Sequence, residues 1–309
     1  MSSATRFRRF TNYLAALSAV FFFLAAATVN AAIYSLGDSL TDSGALGITY
    51  TNPVELSPLA EGNVWVQYLT NSVPAFCDDP KHCHPDRDTY YYSRSGNNYA
   101  VGGAGVTFDS TDSALAQIGK PSFTSLHYQV KALLHNRKLT TDDIVTVWMG
   151  ANDILAATAD PANSVAFVSN AAKLFSVEIA RLGNHGPKIY VLTIPDLAKT
   201  PLGANLPLPD SQFLTDLTNV FNNGISGLAN LKNVRLIDSN AFFEVAKTSG
   251  LFDLSNTYCP NLIDPNNVCG TVANPIEHSA EVPFMFADPV HPSNALHQWI
   301  GAIVKKLIR

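Results

Sequence analysis

Charge is scarce in this chain, and so is sulfur. Only 15% of the 309 residues are charged, with four cysteines and three methionines. A net charge of −5 with no basic stripe argues against a nucleic-acid partner, and also against adsorption to anionic membranes by bulk charge. There is no low-complexity tract, and no internal repeat at solenoid or propeller periods. No CxxC occurs, no HExxH, no P-loop and no GxSxG elbow. Gly103-Ala104-Gly105 has Phe108 where a dinucleotide fingerprint needs its third glycine. Zinc protease, nucleotide-binding and α/β-hydrolase readings are thereby set aside, and no cofactor or metal is expected.

Only one long apolar run exists, and it lies at the N-terminus. Arg6, Arg8 and Arg9 precede an apolar stretch from Tyr13 to Ala27, and Val29-Asn30-Ala31 supplies small residues for cleavage. The pattern is a secretory signal, residues 1–31. The stretch is short for a membrane span, which needs about 20 residues. Its removal takes away three positive charges and no negative ones, moving the formal charge from −5 to −8. The mature chain, residues 32–309, is expected to be exported and soluble, without stable membrane insertion, and to act as a monomer.

Export suits the cysteines. Four of them allow three connectivities, and sequence alone does not choose. Proximity favours Cys77–Cys83 and Cys259–Cys269. In the chain-entropy account each closed loop is worth about 2–3 kcal/mol. His82 and His84 flank Cys83, but the missing CxxC and an oxidising compartment weigh against a metal site. The 259–269 loop, rich in Pro, Asn and Asp, reads as an exposed proteolytic site.

At 47% hydrophobic residues the chain can bury a sizeable core. Apolar runs at 32–36, 99–101, 143–149, 188–193 and 234–237 read as strands. Between them run helical stripes. Val168, Ala171, Ala172, Phe175, Ile179 and Leu182 recur at steps of three and four, and similar stripes cover 126–139, 211–231 and 293–307, the last with Ser293 as N-cap. Strands that are continuously apolar are buried on both faces. The expected fold is a single α/β domain: a doubly wound parallel sheet of about five strands in three α/β/α layers, with long insertions at 45–95 and 252–290.

Such a sheet binds ligands at the carboxyl ends of its strands, and four polar stretches fall near that edge: Gly37-Asp38-Ser39-Leu40, Gly102-Gly103, Gly150-Ala151-Asn152-Asp153 and Asp288-Pro289-Val290-His291. A serine hydroxyl needs a base to attack at neutral pH. His291 is the candidate, and Asp288 three residues earlier can hold its other ring nitrogen. Pro289 and Pro292 stiffen the segment. Alone, Ser39 would read as a helix cap. Asp38, Asp42 and Asp153 read as structural.

Together, GDSL at 37–40, Gly103, GAND at 150–153 and DPVH at 288–291 resemble the GDSL family of the SGNH hydrolases, over essentially all of residues 32–309. The resemblance implies a flavodoxin-like sheet and a Ser39–His291–Asp288 triad. It also implies an oxyanion hole made by the Ser39 and Gly103 amides and the Asn152 side chain. The chain is most similar to the secreted bacterial phospholipases, lysophospholipases and glycerophospholipid:cholesterol acyltransferases of that family. That likeness implies a lysophospholipid substrate and, from the cysteine-closed loop, an activating secreted protease. The apolar stretch 282–286 and the tyrosines 90–92 read either as walls of an acyl site or as packing. A carbohydrate acetylesterase would use the same residues. A secreted binding protein that has lost catalysis would keep only the fold.

Overall fold

The computed structural model describes residues 31–52, 62–79, 91–259 and 282–308. Expectations that fall on residues 1–30, Cys83, Cys269, Tyr90 or the rest of the 259–269 loop lie outside them. Among the described residues no cysteine is a free thiol.

The compact unit begins at Ala32. Four strands form its sheet in the order β1 (Ile33–Gly37), β2 (Ile144–Trp148), β3 (Lys188–Leu192), β4 (Val234–Ile237), every pair parallel. The β2 sequence IVTVW is buried at every position, as strands covered on both faces must be. Its one polar side chain, Thr146, is satisfied by Ser35 Oγ at 2.9 Å.

The expected strand at 99–101 takes a different form. Residues 97–101 lie along the free edge of β1, with Ser35 N–H donating to Asn97 O, Tyr99 N–H to Ser35 O and Val101 N–H to Gly37 O. The ladder is broken at Gly37, whose N–H goes to Gln129 Oε1 at 2.8 Å. Gln129 Nε2 returns a bond to Gly37 O, also at 2.8 Å. A side-chain amide thus replaces one rung of backbone pairing, leaving an isolated bridge between Ser35 and Asn98. The chain still reverses its winding at β1, with 97–101 on one side and β2 on the other. That reversal is the switch point where open α/β sheets form their crevice.

Helices α1 (Leu126–Asn136), α2 (Ala151–Ala157), α3 (Ser164–Gly183) and α4 (Leu208–Ile225) pack together. The α3 stripe read from the sequence is the buried face, locked by an edge-to-face contact of Phe175 with Phe221 on α4, centroids 5.8 Å apart. A second group holds α5 (Ser239–Thr248), α6 (Asn294–Leu307) and the single turn Trp65–Tyr68. Trp65 packs edge-on against Trp148 at 6.0 Å, and Phe242 of α5 meets Trp299 of α6 at 6.4 Å. Ser293 caps α6, accepting from Leu296 N–H at 3.1 Å. A small parallel pair, β5 (Asp253–Thr257) and β6 (Phe284–Phe286), carries the chain into the 287–292 segment.

Candidate active site

Ser39 stands two residues beyond the end of β1. No helix follows it. The chain instead turns, with Thr41 N–H and Asp42 N–H both donating to Asp38 O, and Leu40 N–H donating to Asp38 Oδ1 at 3.1 Å. The capping role belongs to Asp38, so Ser39 has its hydroxyl to spare.

His291 reaches the same point from a stiff turn. Ala287 N–H donates to His291 O at 2.9 Å, and Ser293 N–H to Met285 O at 3.0 Å. Asp288 Oδ1 closes the turn by accepting from Val290 N–H at 2.8 Å and His291 N–H at 2.7 Å. Asp288 Oδ2 accepts from His291 Nδ1 at 2.7 Å. With the proton on Nδ1, Nε2 is the acceptor for the Ser39 hydroxyl, 2.9 Å away. One carboxylate therefore shapes the loop and fixes the tautomer.

Burial disfavours the imidazolium, but the Asp288 charge and hydrogen bond outweigh it, helped by Asp38 and Asp112, so the His291 pKa stands above its ordinary 6.5. Burial likewise pushes the Asp288 carboxyl up, but His291 and the two backbone amides overcome it and hold the pKa low. Buried Asp38 is pushed up to about 7.

Asn152 lines the same cavity as Ser39. Asn152 opens α2 directly after β2, and its Nδ2 donates to Ala104 O at 2.9 Å, tying α2 to the glycine loop with one N–H to spare. Asp153 ties them a second time, accepting from Val106 N–H at 2.7 Å and Thr107 N–H at 3.1 Å. Among the described residues neither the Ser39 nor the Gly103 amide has a hydrogen-bond partner. Gly103 holds φ +71°, and a Cβ there would lie 2.5 Å from Asp112 Oδ2, so the position requires glycine.

Ser39, Asn152 and His291 open on a cavity of about 140 Å³ whose apolar wall includes Leu40, Leu155, Leu197, Phe243 and Val290. The stretch 282–286 does not line it. Met285 and Phe286 are buried, and Phe286 packs on Phe243 at 6.1 Å, so Phe286 supports the wall from behind. Tyr92 is no rim either, being stacked on Tyr99 at 5.6 Å. Tyr50, which sequence reasoning missed, lies against His291 with ring centroids 5.3 Å apart. It comes from an irregular insertion without periodicity, and no local signal marks it. Among the described residues no cluster could hold a metal ion.

A serine, a histidine and an aspartate hydrogen-bonded in line at the carboxyl edge of a doubly wound parallel sheet define the geometry of a serine hydrolase. The sequence profile of the GDSL-like Lipase/Acylhydrolase family matches residues 33–304. The chain belongs to that family, whose members are carboxylic ester hydrolases. It is 25% identical over 170 residues to Lipase 1 of Photorhabdus luminescens, the match covering 55% of this chain and 23% of that protein. It is 26% identical over 176 residues to the phosphatidylcholine-sterol acyltransferase of Aeromonas hydrophila, covering 55% and 46%. The matches thus span less than half the length of either curated relative. The solved structure of a catalytic mutant of an acetylxylan esterase from Geobacillus stearothermophilus aligns with a TM-score of 0.44 at 15% identity, covering 90% of this chain and 94% of that one.

Proposed function

We propose that the protein is an exported lysophospholipase that removes a fatty acyl chain through an acyl-enzyme on Ser39. The observation that carries this is the hydrogen-bonded line from Ser39 through His291 to Asp288. Ser39 Oγ attacks the ester carbonyl as His291 Nε2 takes its proton, and the Asp288 carboxylate stabilises the imidazolium. The oxyanion meets the Ser39 and Gly103 amides and the Asn152 side chain. His291 then protonates the leaving alcohol, and water completes the second half. The lipid assignment is supported by the apolar wall of the cavity and by relatives named as a lipase and a phosphatidylcholine-sterol acyltransferase. Residues 1–31 direct export and are removed. The Cys259–Cys269 loop is a site of activating proteolysis. Cys259 N–H donates to Ala287 O, one residue before Asp288, so a cut there loosens the edge of the site.

One observation favours a second reading, a short-chain or carbohydrate acetylesterase. A cavity of about 140 Å³ is smaller than the ~300–1,000 Å³ of common ligand sites. An acyl-length series from acetyl to palmitoyl, on lysophospholipid and acetylated-sugar substrates, with intact and loop-nicked enzyme, separates the two. The lysophospholipase reading expects kcat/KM to rise with chain length and to rise again on nicking. A maximum at acetyl in both forms overturns it. Ser39→Ala is expected to abolish turnover, and hydrolysis near the wild-type rate by folded Ser39→Ala would sink the whole mechanism.

A further inference from the structure

The amide assigned to the oxyanion belongs to the peptide joining Gly102 and Gly103; one buried side chain grips that unit and a second holds the unit before it. Ser110 Oγ donates to Gly102 O at 2.5 Å. In a planar trans peptide the C=O and N–H of one unit point in opposite directions. A donor fixed on Gly102 O therefore sets where the Gly103 N–H points. It also polarises the unit, strengthening the N–H as a donor.

Asp42 holds the adjoining amide. Its Oδ2 accepts from Gly102 N–H at 2.7 Å, while Oδ1 accepts from Gly44 N–H at 2.9 Å and Ala45 N–H at 2.6 Å. Because Asp42 sits in the turn that carries Ser39, these bonds lock the glycine loop in register with the serine. Ser110 is anchored in turn. Its N–H donates to Thr124 Oγ1 at 2.6 Å, its carbonyl accepts from Ser122 Oγ at 2.9 Å, and its Oγ accepts from Asp112 N–H at 3.2 Å. Ser110 is 1% exposed and Asp42 0%. Neither lines the cavity beside Ser39, so both act through the backbone rather than on substrate.

Resting on the oxyanion role given to Gly103 above, we propose that Ser110 and Asp42 are positioning residues that aim the Gly103 N–H at the developing oxyanion. Their removal lowers kcat while leaving ground-state binding alone, because the donor matters most where charge develops.

The test compares Ser110→Ala and Asp42→Asn with wild type, active sites being titrated to completion with an organophosphonate and rates expressed per titrated site, and with Ser39→Ala, which has no nucleophile to titrate and is compared per mole of folded protein. Asn at 42 keeps one acceptor oxygen but turns a donor toward Gly102 N–H. Each variant is expected to lose about ten- to a hundredfold in kcat, the scale of a displaced oxyanion donor and below that of a deleted one, with KM within about twofold. A purely structural role would lower the titratable fraction and the melting temperature but leave kcat per site intact. Values of kcat per site within twofold of wild type in both variants overturn the proposal. If Ser110→Ala yields no titratable enzyme, Asp42→Asn decides by the same criterion, and loss of titratable sites in both counts against positioning. Hydrolysis by Ser39→Ala would instead overturn the function proposed above. An inactive Ser39→Ala beside fully active Ser110→Ala overturns only this inference.

Discussion

Asp288 shows how much one side chain decides in this site. Both carboxylate oxygens are committed, one to the turn and one to His291 Nδ1. The histidine pKa is raised in the folded enzyme, so the neutral base is lost as pH falls through a value above 6.5. The kcat/KM profile is therefore expected to drop on the acid side with a midpoint above pH 6.5, while Asp288, held low, stays ionised throughout. In Asp288→Asn the side chain can turn an amide donor toward the ring and favour the wrong tautomer, and kcat should fall by about 10³–10⁴. Steady-state kinetics from pH 5 to 9 check both, and a flat wild-type profile would refute the assignment of His291 as base. Ser39, His291 and Asp288 were legible in the sequence because their spacing and their place at strand ends survive in one dimension. Tyr50 and Ser110 were not, since they meet the site only through long irregular segments.

The elements follow their hydrophobic periods closely. The α3 stripe at steps of three and four is the face that the fold buries, because a helix interior face must be apolar over its whole length to exclude water. Phe175 is its most committed residue, 0% exposed and edge-on to Phe221. Phe175→Ala is expected to cost about 3–5 kcal/mol in urea unfolding, with kcat per titrated site unchanged because α3 contributes no group to the cavity wall. A loss of under 1 kcal/mol would show that the α3–α4 seam is not part of the rigid core. The element that period alone misjudged is 97–101. Its apolar YAV core reads as a strand, but Gln129 supplies the rung at Gly37, and a hydrogen bond from a residue far along the chain leaves no trace in local composition.

At the scale of the molecule, the site is a junction of four separated stretches brought to one sheet edge. The compact unit starts at Ala32, whose N–H donates to Asp143 Oδ1 at 3.0 Å. Cleavage after Ala31 would place a free ammonium beside that carboxylate. A chain beginning at Ala32 is expected to match the full-length protein in melting temperature and in kcat per titrated site, and, on the export proposed above, mass spectrometry of protein recovered outside the cell should find Ala32 at its N-terminus. A large drop in stability on removing residues 1–31 would mean that they belong to the fold.

The sequence by itself determined the fold class, the helical faces and the triad. Each depends on residue type at a fixed local spacing, or on motifs that recur at the ends of strands. Only the tertiary structure decided how the Gly102–Gly103 peptide is held, that Phe286 backs the cavity wall while 282–286 stays out of its lining, and that Ser39 leads a turn whose cap is Asp38. Those outcomes depend on hydrogen bonds and packing between residues distant along the chain, such as Asp42 with Gly102 and Phe243 with Phe286. Such contacts are set by the closing of the whole sheet and its layers.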